Sequence, residues 1–302
     1  MMTALESLVS SGMILERVPL GPYTTYKSGG PARYLAELYD AAALDDLVAS
    51  GVSSELPILV LGRGSNLVVS DSGFEGLVIR LGSSFGGVKV EGTEVRAGAA
   101  APLAQVARSS VDAGLTGLEF FIGVPGSVGG AVRQNAGCFG TETRDRLIVA
   151  SILDLTDGQM GIFGPDDLDL SYRHSNITST RVVVSASFRA SLGDTDTGRA
   201  ELRRITRWRR DNQPGGTFNA GSVFKNPVGA TAGEIIDALG LKGMRVGDVA
   251  VSEKHANFFV AGSSATSEDI RSLVVAVKDR VFEETGTMLE PEIQFVGFDD
   301  EN

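Results

Sequence analysis

A mixed α and β fold, in at least two parts, is predicted by three features of the sequence. Short apolar runs bounded by glycine-rich turns, such as LPILVL at 56–61, read as buried strands. Ile270, Leu273, Val274, Val277 and Val281 recur with a helical period over 268–284. The polar, turn-rich stretch 191–198 breaks the composition and marks a boundary between parts.

The elements follow in chain order. Residues 42–50 form a short helix with Leu44, Leu47 and Val48 on one side. Residues 56–61, the turn GRGSN at 62–66 and the run LVV at 67–69 read as strand, turn, strand. Residues 88–90 and 94–96 suit a hairpin. Residues 102–113 suit a helix, with Pro102 near its first position and Gly114 as its stop. Residues 147–155 and 180–190 read as strands of one sheet. Beyond the boundary come an arginine-rich helix at 199–211 and a short helix at 231–239. The long helix at 268–284 has Thr266 or Ser267 as cap and Gly286 as end, and a last strand covers 292–296.

Composition excludes several classes. The chain has 302 residues, 38 of them glycine, with no internal repeat. The glycines are dispersed, so they read as tight turns or close approaches to a ligand. Cys138 is the sole cysteine, which excludes an internal disulfide and cysteine-rich metal sites; no metal is expected. No basic n-region precedes an apolar run, and no apolar run spans a bilayer, so neither a signal peptide nor a membrane partner is expected. A net charge of −11 argues against nucleic acid. Any anionic ligand must be captured by local cations and backbone N–H groups.

Two glycine-rich turns stand out. GRGSN lacks the third glycine and the following helix of a dinucleotide fingerprint, and lacks the lysine ending of a P-loop. GVPGSVGG at 123–130, followed by QNAG at 134–137, adds further N–H groups and the side chains of Ser127 and Asn135. Together the two turns suit an extended diphosphate; the alternative is a pair of structural loops. Arg173, in YRHSN at 172–176, is either a fixed cation for developing negative charge or a surface side chain. Six arginines within 199–210 surround a helix and read as a solvated face.

Ser222 fails the nucleophile-elbow pattern, since Ala220 and Phe224 occupy the positions that need glycine. Its hydroxyl is left as a hydrogen-bond or proton donor. Lys225 and Asn226 suit a phosphate or a sugar. Glu290 and Glu292, two apart at a strand entry, would share one face of a strand. His255 is either structural or a ligand contact.

In order along the chain come TTYKSGGPA (24–32), LGRGSN (61–66), GVPGSVGG (123–130), NAG (135–137), YRHS (172–175), AGSVFKNP (220–227), GLKG (240–243) and LEPE (289–292). This series resembles the UDP-N-acetylenolpyruvoylglucosamine reductase family, flavoenzymes of peptidoglycan synthesis. The resemblance implies an FAD-binding region of the vanillyl-alcohol-oxidase/PCMH type at 1–193, made of two α/β parts split near 70–80. It implies a C-terminal α+β substrate-binding domain at 194–302. FAD, held non-covalently, would meet Gly62, Arg63, Gly64, Ser65, Asn66, Gly126, Ser127, Gly129, Gly130 and Asn135. NADPH would be the co-substrate. Arg173 and Glu292 would stabilise an enolate-like intermediate and Ser222 would protonate it. Tyr172, Lys225, Asn226, Lys242 and His255 would contact the nucleotide sugar. The implied enzyme is cytoplasmic and a monomer or weak oligomer.

The sequence departs from the family pattern at Asn212, Ala250 and Ala261, where relatives carry a basic residue, a glutamine and an asparagine. These changes bear on diphosphate and uridine binding. The short connection from Asn176 to Arg181 leaves no room for an inserted tyrosine-bearing loop, which points to the shorter, second subclass. Two other functions compete. A covalent flavoenzyme of the same fold needs a histidine near the flavin, but His174 and His255 lie outside the glycine-rich turns. A nucleotide-sugar-binding regulator without redox function would bind no flavin.

Overall fold

The computed structural model describes residues 3–298. By backbone contacts the chain forms two compact units. The first takes residues up to Glu16, Tyr34–Gly62 and Gly76–Trp208; the second takes Arg17–Arg33, Arg63–Glu75 and everything from Arg209. The chain therefore changes unit inside the GRGSN turn, between Gly62 and Arg63. Helix Thr195–Asn212 begins in the stretch expected as a boundary and runs on through the division at Trp208.

The first unit has two cores. One lies under a five-stranded antiparallel sheet in the order Met160–Phe163, Leu147–Asp154, Arg181–Arg189, Glu94–Gly98, Val88–Glu91. The expected hairpin and the expected pair of long strands are all here, the pair in antiparallel register with Ala150 opposite Ala186. Helices Leu103–Asp112 and Val128–Gln134 supply Val106, Val128 and Val132, all fully buried. Phe121 and Phe188 meet edge to face at 5.2 Å in this core.

The other core belongs to the sheet ordered Ile14–Pro19, Pro31–Leu38, Phe74–Leu81, Ile58–Val60. Ile58–Val60 runs parallel to Leu77–Ile79. Helix Ala41–Ala49, capped by the Asp40 side chain, buries Leu44 and Leu47 against it.

The second unit is built around helix Ser267–Thr285. Thr266 and Asp269 form its capping box, and the stripe read from the sequence is fully buried. Three short antiparallel strands, Arg245–Val246, Val249–Val251 and Phe259–Ala261, lie in the same unit. Leu67–Val69 belongs here too, in parallel pairing with Gln294–Val296. The two apolar runs flanking GRGSN thus enter different sheets. Tyr26, from the N-terminal TTYKSGGPA motif, is buried in the same core as Ala220 and Val223. Burial holds its hydroxyl well above the ordinary tyrosine range.

Candidate functional site

In the first unit the glycine-rich segments meet. A Cβ on Gly62 would stand 2.7 Å from Ser127 Oγ and 3.8 Å from Ser127 Cβ, so the residue following the Ile58–Val60 strand region lies beside the Ser127 side chain at the start of helix Val128–Gln134. Ser127 is buried, Gly126 half-buried, and Gly62 and Gly130 exposed. Not every N–H expected to face an anion does so. Val128 N–H donates to the Ala101 carbonyl at 3.0 Å and Gly129 N–H to the Ala99 carbonyl at 2.9 Å. Gly129 packs closely on Ala99: a Cβ there would lie 3.1 Å from Ala99 Cβ, so the neighbour would have to give by a few tenths of an ångström.

Gly64 and Asn66 lie in the second unit. Gly64 has a positive φ of 60° and a Cβ on it would strike the Tyr23 carbonyl, so only glycine fits. Asn66 Nδ2 donates to the Glu292 carbonyl at 3.0 Å, and the Asn66 carbonyl accepts Gln294 N–H at 2.9 Å. Besides its place next to Ser65, Asn66 therefore holds the backbone of Glu292. Arg63 is exposed and Ser65 half-buried.

Asn135 corrects the expectation of a ligand-facing amide. It is fully buried in a left-handed conformation at the end of helix Val128–Gln134. Its Nδ2 donates to the Ser171 carbonyl and to Glu142 Oε2, both at 2.8 Å, and its Oδ1 accepts Arg144 N–H at 2.9 Å. The side chain is fully engaged within the protein, where it supports the loop that carries Arg173.

That loop is held from several sides. Ser171 and His174 exchange backbone hydrogen bonds across a tight turn, with Arg173 at φ 56°. Arg133 Nη1 donates to the Ile177 and Thr178 carbonyls, and Arg144 Nη1 to the Leu170 carbonyl at 2.6 Å. A left-handed arginine costs roughly 1 kcal/mol or more and persists where its surroundings over-determine it. Arg173 Nη2 donates to the Gly137 carbonyl at 3.0 Å, its Nη1 lies 3.3 Å from Glu142 Oε1, and its guanidinium stacks 4.9 Å from the Tyr172 ring centre. Tyr172 itself is exposed, and His174 faces Asp169 at 3.7 Å.

In the second unit the Ser222 segment is clamped between two others. Ser222 bridges to Phe258, and Val223 N–H donates to the Asn257 carbonyl at 2.8 Å. On the opposite edge Glu292 N–H donates to the Val223 carbonyl at 2.7 Å, and Lys225 N–H to the Glu290 carbonyl at 2.9 Å. Ser222 and Glu292, both half-buried, thus sit on neighbouring segments. Glu290 and Glu292 do not share a strand face as expected, because the regular strand starts only at Gln294. Glu290 turns to solvent, where it pairs with Lys225 at 2.6 Å.

Asn257 gave no signal in the sequence and is the main support of this clamp. Buried, it accepts Phe224 N–H on Oδ1 at 2.9 Å and donates Nδ2 to the Phe224 carbonyl at 2.8 Å. Asn257→Ala leaves both buried groups of Phe224 without these partners. A loss of on the order of 3 kcal/mol is expected, read as a lower denaturant midpoint with unchanged slope.

The expected sugar-nucleotide contacts also fall in this unit. Asn226 Oδ1 accepts Ala232 N–H at 3.1 Å, and Lys242 Nζ lies 2.6 Å from Asp237 Oδ2. His255 is half-buried, with its ring 4.8 Å from that of Phe258. Burial first, and the Lys242 ammonium second, push the imidazole below its usual range. The unfolded chain then takes up that proton more readily than the folded one. The stability from neutral His255 is complete above about pH 6.5 and is lost as pH falls through the lower folded value. The melting temperature should fall between about pH 7 and pH 5, less steeply in His255→Gln; equal slopes would contradict this.

Among the described residues no helix is long and apolar enough to cross a membrane, and no group of acidic, histidine or cysteine side chains could hold a metal ion. A family profile described as UDP-N-acetylenolpyruvoylglucosamine reductase, C-terminal domain, matches residues 213–296, and one described as FAD binding domain matches residues 32–162. The chain is 41% identical to the UDP-N-acetylenolpyruvoylglucosamine reductase of Azorhizobium caulinodans, over 95% of this chain and 92% of that one. Against the enzyme of the same name from Erythrobacter litoralis it is 42% identical, over 95% and 88%. The crystal structure of UDP-N-acetylenolpyruvylglucosamine reductase (MurB) from Thermus caldophilus superimposes with a TM-score of 0.81 at 35% identity, covering 93% of this chain and 98% of that one. The order of the motifs, the α+β architecture and this likeness along nearly the whole length agree: the chain belongs to the UDP-N-acetylenolpyruvoylglucosamine reductase family.

Proposed function

We propose that this chain reduces the enolpyruvyl group of UDP-N-acetylglucosamine enolpyruvate to give UDP-N-acetylmuramate, with FAD as non-covalent cofactor and NADPH as co-substrate. The observation that supports the reading is the hydrogen bond from Glu292 N–H to the Val223 carbonyl at 2.7 Å, which makes the segments carrying Ser222 and Glu292 neighbours in one unit. Residues 1–193, in two parts split near 70–80, serve the flavin, and residues 194–302 serve the substrate. The profile matches at 32–162 and 213–296 support that division of labour. It differs from the division by contacts, in which 17–33 and 63–75 pack with the C-terminal residues.

Gly62, Arg63, Gly64, Ser65, Asn66, Gly126, Ser127 and Gly130 would hold the flavin. Gly129 and Asn135 act beneath them. The flavin, once bound, would supply hydride transfer from NADPH to the terminal methylene carbon of the enolpyruvyl ether. The protein's own groups then deal with the charge left on the carboxylate and with one proton. Arg173 balances that charge with a guanidinium whose conformation is fixed in advance. Ser222 Oγ–H gives its proton to the carbon bearing the carboxylate and regains one from solvent. Glu292 orients the carboxylate end through a shared proton. Lys225, Asn226, Lys242, His255 and Tyr172 contact the nucleotide sugar. Both histidines lie outside the glycine-rich segments, consistent with non-covalent flavin. The enzyme works in the cytoplasm as a monomer or weak oligomer.

The test is turnover. Purified protein loaded with FAD should oxidise NADPH only when UDP-N-acetylglucosamine enolpyruvate is present, with a product two hydrogens heavier. Protein that takes up no FAD, or oxidises NADPH at the same rate without that substrate, would refute the reading.

A further inference from the structure

Glu142 has no place in the mechanism above, yet its carboxylate pairs with Arg173, Oε1 lying 3.3 Å from Nη1. It ends the short hairpin formed by Gly137–Cys138 and Thr141–Glu142. Its two oxygens point to different partners: Oε2 accepts Asn135 Nδ2 at 2.8 Å, and Oε1 lies 3.3 Å from Arg173 Nη1. Gly137, paired directly opposite Glu142 in the hairpin, gives its carbonyl to Arg173 Nη2 at 3.0 Å. The hairpin thus grips one edge of the guanidinium with two adjacent acceptors. Asn135, itself fixed to Ser171 and Arg144, locks the carboxylate that does the gripping.

The arrangement is well anchored. Arg173 is only 15% exposed and Glu142 26%, so the pair is shielded from solvent screening. The Glu142 N–H donates to Asp145 Oδ2 at 2.8 Å, which fixes the backbone of the residue. At the hairpin tip Phe139 packs edge to face with Trp208 at 5.2 Å and lies under the Arg204 guanidinium.

We propose that Glu142 is a positioning residue: through Asn135 and the Gly137 carbonyl it holds the Arg173 guanidinium in the orientation that meets the developing enolate. The proposal rests on the role given to Arg173 above. A long arginine side chain loses considerable rotamer freedom on being ordered, and this grip does that ordering before substrate arrives. Glutamine at 142 keeps the shape, but its NH2 must face either the Asn135 amide or the guanidinium, both of them donors.

The test is a double-mutant cycle read in single turnover on FAD-loaded protein. Glu142→Gln should slow reoxidation by saturating UDP-N-acetylglucosamine enolpyruvate by about 10- to 100-fold. Reduction by NADPH should change by less than about twofold. In an Arg173→Ala background the same substitution should have almost no further effect, because there is no guanidinium left to orient. Glu142→Asp, which keeps the charge and withdraws it by one methylene, should slow the same step by a smaller factor.

An additive effect in the Arg173→Ala background, or equal slowing of both half-reactions, would show a general structural role and overturn the inference. Wild-type reoxidation in both Glu142 variants, with Arg173→Ala slow, overturns it while leaving the role of Arg173 intact. Wild-type reoxidation in Arg173→Ala removes both.

Discussion

Ser222→Ala is expected to slow reoxidation of the reduced flavin by UDP-N-acetylglucosamine enolpyruvate by about three orders of magnitude, within the range a positioned general acid supplies. Reduction by NADPH should stay within about twofold of wild type, since no proton is needed at Ser222 in that step. The substitution removes one oxygen and leaves the clamp in place. The bonds that hold the segment run through the backbone of Val223, Phe224 and Lys225 and through the Asn257 side chain. Gly221 N–H, tied to Asn219 Oδ1 at 3.1 Å, fixes the approach to the serine from the other side. Stability should therefore be almost unchanged, so that a slow step reports chemistry. Normal reoxidation in Ser222→Ala would remove the serine from its role; loss of folding would contradict the account of the clamp.

Arg173→Ala is expected to slow the same half-reaction by about 10²- to 10³-fold, the range seen when a donor to developing negative charge is removed. The defect should appear in the rate at saturating substrate more than in affinity, because the charge grows as the reaction proceeds. Arg173→Lys should recover only part of the rate, since an ammonium cannot reproduce the planar fork that spans the Gly137 carbonyl and Glu142. Relief of the left-handed backbone does not follow from either change, as neither residue adopts φ 56° more readily than arginine. A defect confined to flavin reduction would contradict the assignment.

The sequence was most informative where one period governs one element. The stripe of helix Ser267–Thr285 and its Thr266 cap follow from spacing and capping chemistry alone. The strands Pro31–Leu38 and Phe74–Leu81 went unseen because Arg33, Glu37, Glu75 and Arg80 interrupt their apolar runs, and Gly76 lowers strand propensity. Arg80 and Glu37 in fact pair at 2.7 Å across those strands, a partnership no local pattern reveals.

In the site, motif order identified Arg173, Ser222 and Glu292 as residues to examine, but not what holds them. Asn257 and Glu142 are each ordinary in sequence, and they matter through bonds to residues far away along the chain. The Gly-rich segment at 123–130 shows the converse. Its glycines suggested N–H groups open to an anion, yet those of Val128 and Gly129 are engaged by Ala101 and Ala99. One glycine there serves packing, which composition cannot distinguish from ligand binding.

The most direct measurement mixes photochemically reduced, FAD-loaded protein with UDP-N-acetylglucosamine enolpyruvate under anaerobic conditions and follows the flavin absorbance in a stopped-flow instrument. The account predicts full recovery of the oxidised flavin spectrum in one fast, substrate-dependent phase, with one UDP-N-acetylmuramate formed per flavin. A flavin that stays reduced in the presence of that substrate, or reoxidises without forming that product, would contradict it.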